Sequence, residues 1–199
     1  MLLSTPEGRQ DRSEQLVRRL QELLLRETFG EVLDYGTGGG PVSFALQPYA
    51  KRVIAADKSA QVVKDVEKAA REQSFANIQG FVLDLEKDAP PEELQVDLAV
   101  CVMALHHIED IPRVLEGFTR LLRPGGALAL VDLDVEDGSF HGKEVAYSHK
   151  GLDRQWLLEL LEEQGLEGLT SETVYVMKRE HEGGVREYPL FLITARKPG

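Results

Sequence analysis

Apolar residues recur along this chain with two periods, and the alternation between them outlines an architecture. Between about Ser13 and Thr28, Leu16, Leu20, Leu23 and Leu24 share one face while Glu14, Gln15, Arg18 and Glu22 fall on the other, which predicts an amphipathic helix. Asp11 or Ser13 is its expected N-cap and Gly30 its C-terminal glycine. Short apolar runs follow at Val32-Leu33, Arg52–Asp57, Ile78–Leu83, Asp97–Met103 and Ala127–Val131, and these read as strands. Helical patterns separate them at about Val42–Gln47, at Ala60–Gln73 with Val62, Val63, Val66 and Ala70 inward, and at Pro112–Leu122. The Asp97–Met103 run is almost unbroken, as expected of a central parallel strand covered on both faces.

The last third has a different rhythm. Asp132 to Lys150 shows no clear period and carries Phe140, His141, Tyr147 and His149. Asp153 is then placed to cap a helix with Trp156, Leu157, Leu160 and Leu161 on one face, closed by Gly165. Thr173–Met177 and Tyr188–Ala195 read as two strands joined by a charged turn over Lys178–Gly184, which makes them an antiparallel hairpin. The pattern predicts a single α/β domain, divided into a helical cap (1–29), a core (30–134) and a closing loop, helix and hairpin (135–199).

Composition narrows the partners. With 199 residues the chain can bury a sizeable core, and its net charge of −11 argues against a nucleic-acid backbone as main partner. Cys101 is the single cysteine, so an internal disulfide and a cysteine-rich zinc site are both excluded. No apolar run approaches the roughly 20 residues that cross a bilayer, and the Met1-Leu2-Leu3 start lacks the long apolar region of a secretory signal. The expectation is a cytoplasmic protein, monomeric or weakly homodimeric, that works without membrane or nucleic acid.

Candidate chemistry centres on Asp34-Tyr35-Gly36-Thr37-Gly38-Gly39-Gly40-Pro41, a strand end, a glycine-rich turn and a helix start. Gly36, Gly38 and Gly40 let a ligand approach the main chain, and the N–H groups opening the next helix face the turn. Counted from Gly36, the third glycine of a dinucleotide fingerprint would fall on Pro41, and no Gly-Lys-Ser/Thr phosphate loop is present. About 20 residues on, Asp57 ends a strand where a carboxylate can accept from two ribose hydroxyls, although the N-cap of the following helix is a rival role. Asp84 ends a third strand, with a turn residue as its plainer reading. Ligands of such sheets bind beyond the carboxyl ends of the strands, where all three acids would stand.

The D-x-G-x-G-x-G spacing resembles the first motif of class I S-adenosylmethionine-dependent methyltransferases. The string DLAVCVMALHHIED at Asp97–Asp110 and the LLRPGG turn at Leu121–Gly126 are similar to that class as well, in its small-molecule, ubiquinone- and menaquinone-biosynthesis-like branch. The likeness covers about Gly30 to Asp134. It implies a Rossmann-like, seven-stranded, mostly parallel sheet with helices on both faces and an antiparallel C-terminal hairpin. It further implies methyl transfer from S-adenosyl-L-methionine to a small molecule, with S-adenosyl-L-homocysteine as product. Cofactor contacts would come from Asp34, Tyr35, Gly36, Thr37, Gly38, Gly40, Asp57, Lys58, Asp84, Leu85, Met103 and His106, with Asp84 on the adenine amino group and the Leu85 main chain on a ring nitrogen.

If the acceptor loses a proton, histidine is the natural base near neutral pH, and His106 and His141 are the catalytic candidates. His107 and His149 are weaker ones, and polar loop residue is the plainer reading of His141 and His149. No metal site is expected, because these histidines offer no i,i+3 or i,i+4 ligand pair. Two positions depart from the class pattern. The Tyr35 ring is placed to narrow the pocket or stack near the sulfonium, and Pro41 removes one N–H that a first-turn proline can spare. Rival readings are a non-catalytic cofactor-binding sensor or partner subunit, a protein or RNA methyltransferase, and a nicotinamide-dependent oxidoreductase.

Overall fold

The computed structural model describes residues 6–141, 147–181 and 183–199. The expectations for Met1–Thr5, for part of the segment after the fifth strand and for Glu182 in the hairpin lie outside the described residues. Seven strands form one sheet: β1 (Phe29–Tyr35), β2 (Ala50–Asp57), β3 (Ile78–Val82), β4 (Val96–Val102), β5 (Leu122–Leu133), β6 (Glu167–His181) and β7 (Gly184–Arg196), in the order β3-β2-β1-β4-β5-β7-β6. The first five strands pair in parallel, and β7 runs antiparallel to both β5 and β6, as the hairpin reading requires.

Alternation along the central strands sends side chains to two cores. Val32 of β1 packs with Leu16 and Leu20 of α1 (Pro6–Leu24) and Leu46 of α2 (Pro41–Leu46). Its neighbour Leu33 faces the other way, into the core that also holds Phe118 of α4 (Ile111–Leu121) and Leu157 and Leu161 of α5 (Arg154–Glu163). A strand buried on both faces in this manner is the physical reason that β4 reads as an unbroken apolar run. The α3 helix (Ala60–Glu72) packs on β2 and β3 and buries Val63, Val66 and Ala70. No helix among the described residues is long and apolar enough to cross a membrane.

Several boundaries differ from expectation. The first helix starts at Pro6, so Asp11 and Ser13 lie within it and neither is its N-cap. It ends at Leu24, and the left-handed position after it is taken by Leu25 (φ 52°). Gly30 belongs to β1, where a β-carbon would meet the Asp97 carboxylate at 1.9 Å; close packing, not helix termination, requires glycine there. Trp156 is 37% exposed, because α5 turns Leu157 and Leu161 inward instead. The strands of the hairpin extend into the charged stretch, pairing Lys178 with Glu187 and His181 with Gly184. Asp153 does cap α5, accepting from the Trp156 N–H at 3.0 Å.

Candidate active site

The turn after β1 is held from two sides. The N–H groups of Gly36 and Thr37 both donate to the Ala56 carbonyl of β2, at 2.8 and 3.0 Å. Asp34, buried just before the strand end, accepts from the Thr37 hydroxyl at 2.9 Å and from Ser43 of α2 at 2.6 Å. Burial pushes the Asp34 carboxyl up, while the two hydroxyl hydrogen bonds oppose that rise. Gly36 (φ 73°) has no room for a side chain, since a β-carbon would meet Ala104 at 2.5 Å. Gly38 (φ 52°) is different: a β-carbon there would meet nothing nearer than the Gly36 carbonyl at 3.9 Å. The free side of the turn is therefore at Gly38, and the packed side is at Gly36. Gly40 closes the turn by donating to the Thr37 carbonyl at 2.9 Å, and Pro41 fills the first turn of α2 without strain.

Asp57 stands at the end of β2 beside that free side. Its carboxylate accepts from the Ser59 N–H at 2.9 Å and lies 3.4 Å from the Gly38 nitrogen. The rival capping role belongs to Ser59, which accepts from the Val62 N–H. Lys58 faces Glu86 at 3.8 Å. Beyond β3, Asp84 pairs with Lys87 at 2.9 Å and accepts from the Glu86 N–H at 3.2 Å. Partial burial raises its carboxyl, but the Lys87 hydrogen bond and charge outweigh this and hold it below the ordinary range.

Tyr35 corrects one expectation. Its ring faces away from the turn's free side, meeting Phe118 edge-on at 5.2 Å, and its hydroxyl accepts the Leu85 N–H at 3.1 Å. The ring points to the α4 side because β1 alternates, and Tyr35 shares the face of Leu33. It does not line the cavity that opens from the turn.

A cavity of about 270 Å³ opens from the glycine turn. Asp34, Gly36, Thr37 and Met103 form the wall nearest the turn, and Arg12 and Leu16 of α1 close it from above. Phe140, Tyr175, Met177 and Leu190 form the far wall. Arg12 lies over the Tyr175 ring at 5.7 Å; Arg179 lies over Phe140 at 3.8 Å and donates to the Phe140 carbonyl. Met103 has a left-handed backbone (φ 55°), uncommon for a residue with a side chain and found where β4 meets the cavity. Of the sequence-predicted residues, Gly38, Gly40, Asp57, Lys58, Asp84 and Leu85 do not line this cavity; they stand at or just beyond the ends of β1, β2 and β3, with Gly40 and Leu85 buried.

His106 and His141 do not line this cavity; they meet behind Phe140. His106 is 1% exposed, with Nδ1 2.5 Å from Asp132 Oδ1 and its N–H donating to Asp132 Oδ2 at 3.2 Å. Rings of His106 and His107 lie 4.1 Å apart, and His141 sits 4.9 Å from His106 and meets Phe140 edge-on. Burial, with repulsion from the neighbouring imidazoles and Arg179, pushes His141 down to about 4. The spacing argument against a histidine cluster thus fails in three dimensions: ligand atoms of His106, His107 and His141 lie within 4.8 Å of one another, because two separate segments supply them. His149 stands apart, its Nε2 2.9 Å from the Ile108 carbonyl.

Two site residues escaped the sequence reading. Ser43 is a fully buried hydroxyl in an otherwise apolar helix, and that isolation was its only signal. Asp132 continues the run of acids near strand ends begun by Asp34, Asp57 and Asp84, a pattern that could have pointed to it.

Comparison with known proteins converges on one family. A profile of the methyltransferase domain matches residues 9–177. An uncharacterised methyltransferase of Schizosaccharomyces pombe is 30% identical over 149 residues, 68% of this chain and 52% of its own length. A ubiquinone biosynthesis O-methyltransferase of Coxiella burnetii is 36% identical over 100 residues, 49% of this chain and 41% of its own. The chain thus spans about half or less of these curated relatives. In fold, a crystal structure of an S-adenosylmethionine-dependent methyltransferase from Aquifex aeolicus superposes with a TM-score of 0.68 at 20% identity, over 98% of this chain and 94% of that one.

Proposed function

The chain belongs to the class I S-adenosylmethionine-dependent methyltransferases, and from that membership we propose that it methylates a small, largely apolar acceptor bound under α1. One observation carries this reading: the glycine turn opens directly into a cavity whose far wall is Phe140, Tyr175, Met177 and Leu190. A chamber of about 270 Å³ suits a small ring compound and not a folded macromolecule.

The residues present fit the cofactor. The side-chain-free space at Gly38 leaves the main chain accessible, and the Asp57 carboxylate beside it can accept from paired ribose hydroxyls. Asp84, beyond β3, is the candidate acceptor for the adenine amino group. When bound, the sulfonium supplies an activated methyl group with its leaving group already attached. The chain's own task is then alignment, which can account for about 7–11 kcal/mol of a barrier. Gly36 and Met103 bound the space between turn and cavity, the apolar far wall orients the acceptor, and α1 excludes water. Oxygen is the favoured acceptor atom, in keeping with the O-methyltransferase name of the Coxiella relative. The protein acts in the cytoplasm as a monomer or weak homodimer, without nucleic acid or membrane.

Calorimetric titration with S-adenosylmethionine, S-adenosylhomocysteine and NAD tests the premise. Micromolar binding of the first two and none of NAD is expected; binding of none of the three would sink the reading and favour a fold retained as a partner subunit. A panel of small phenols and quinols, against RNA and protein substrates, then tests the acceptor class.

A further inference from the structure

The geometry points to a divalent transition-metal site of zinc type formed by His106, His107 and His141, with Asp132 behind it. One ligand-capable atom from each imidazole lies within 4.8 Å of the other two. Nitrogens about 2.0–2.1 Å from a tetrahedral zinc ion stand about 3.3 Å apart, so modest ring rotations close the remaining distance. The rings are clustered and mutually tilted, with centroids 4.1, 4.9 and 5.3 Å apart and interplanar angles of 43°, 32° and 51°.

His106 anchors the site. Asp132 is fully buried and accepts the Leu133 N–H at 2.7 Å as well as the His106 N–H, so its carboxylate is fixed in place. At 2.5 Å it accepts a hydrogen bond from Nδ1–H, the tautomer that leaves the lone pair on Nε2. That Nε2 is buried and has no hydrogen-bond partner among the described residues. A carboxylate that fixes the tautomer of a ligating imidazole is the usual support behind a metal-bound histidine. His141 presents a second buried Nε2 without a partner among the described residues. Buried nitrogens are ordinarily satisfied, and two of them in one cluster ask for a group that takes both lone pairs. A metal ion does so, and imidazole donors suit zinc and its neighbours over magnesium or calcium.

The placement gives the ion a role. His106 and His107 lie in the turn after β4, whereas His141 directly follows Phe140, a wall of the cavity. The Ser148 and His149 N–H groups already tie the far end of that segment to the His106 carbonyl, at 2.9 and 3.0 Å. A metal would pin its near end and hold Phe140 in position. Three histidine ligands also leave a fourth coordination position open. The inference stands on its own, apart from the methyl-transfer reading.

The test uses untagged full-length protein, stripped with a chelator, desalted and titrated with Co(II). The expected result is one equivalent bound with the visible absorption of tetrahedral cobalt, displaced by stoichiometric Zn(II). His141→Gln, at a ligand less buried than His106, should weaken binding at least tenfold with an unchanged circular dichroism spectrum. Asp132→Asn should weaken it roughly 10–100-fold. His149→Gln should leave it unchanged. Absence of the cobalt bands, or binding that His141→Gln leaves intact, overturns the site and leaves the two nitrogens to a bridging water.

Discussion

The two halves of the sheet's carboxyl edge are assembled in opposite ways. On the β1–β3 side each candidate group follows its own strand: the glycine turn follows β1, Asp57 ends β2 and Asp84 follows β3. Their positions depend on local chain and on neighbouring parallel strands. On the β4–β7 side the cavity is closed by residues far apart in sequence, from Arg12 and Leu16 of α1 to Met177 of β6 and Leu190 of β7. The first half is a row of local groups at successive strand ends, and the second is a chamber enclosed by distant segments. A local site can be conserved in form while a non-local one diverges, which is how one fold serves many substrates.

The largest effect should come from the open side of the glycine turn. Gly38→Val puts a branched side chain into the space that approaches the main chain, and it does so at φ 52°. We expect at least a 100-fold loss of S-adenosylmethionine affinity by calorimetry, with about 1–2 kcal/mol lost from stability for the left-handed backbone. Binding that survived would move the cofactor out of the local half. Asp57→Ala comes next. Removing a charged acceptor of the ribose hydroxyls should weaken binding by about 1.5–3 kcal/mol, roughly 10–150-fold. Unchanged affinity in a folded variant would strike Asp57 from the site.

The non-local half is probed through the contact that holds its roof. Arg19 of α1 makes two parallel hydrogen bonds to Glu172 of β6, at 2.6 and 2.7 Å. Glu172→Gln should speed amide exchange across α1 several-fold, as measured by hydrogen–deuterium exchange, while leaving S-adenosylmethionine affinity within twofold. An equal loss of cofactor binding would mean that the two halves are one site energetically.

This division also explains what the sequence revealed. The strands, most helices, the hairpin and the first-half acids were legible, because periodicity and turn chemistry are local signals. The cavity was not, since nothing in the pattern around Leu16 says that it will face Met177. The histidine cluster was hidden for the same reason: helical ligand spacing is a rule for one segment, and His106 and His141 come from two. Even within the local half, Tyr35 was misread, because its direction follows from the pleat of β1 and a one-residue change reverses it.

Tyr35 supplies the smallest and most discriminating test. The Leu85 N–H that the family resemblance assigns to an adenine ring nitrogen donates instead to the Tyr35 hydroxyl, at 3.1 Å. One N–H makes one good hydrogen bond, so a base that takes it must displace the hydroxyl. Tyr35→Phe removes the acceptor while keeping the ring against Phe118, and should lower the stability of the cofactor-free protein by about 1 kcal/mol in urea denaturation. If the base claims the N–H, the cofactor-bound protein feels no such loss, and the difference appears as roughly fivefold tighter S-adenosylmethionine binding. S-adenosylhomocysteine carries the same base and should show the same gain. If stability falls and neither affinity changes, Tyr35 keeps the N–H in both states. Leu85 then serves the adenine by shape alone, and the recognition of the base rests on Asp84.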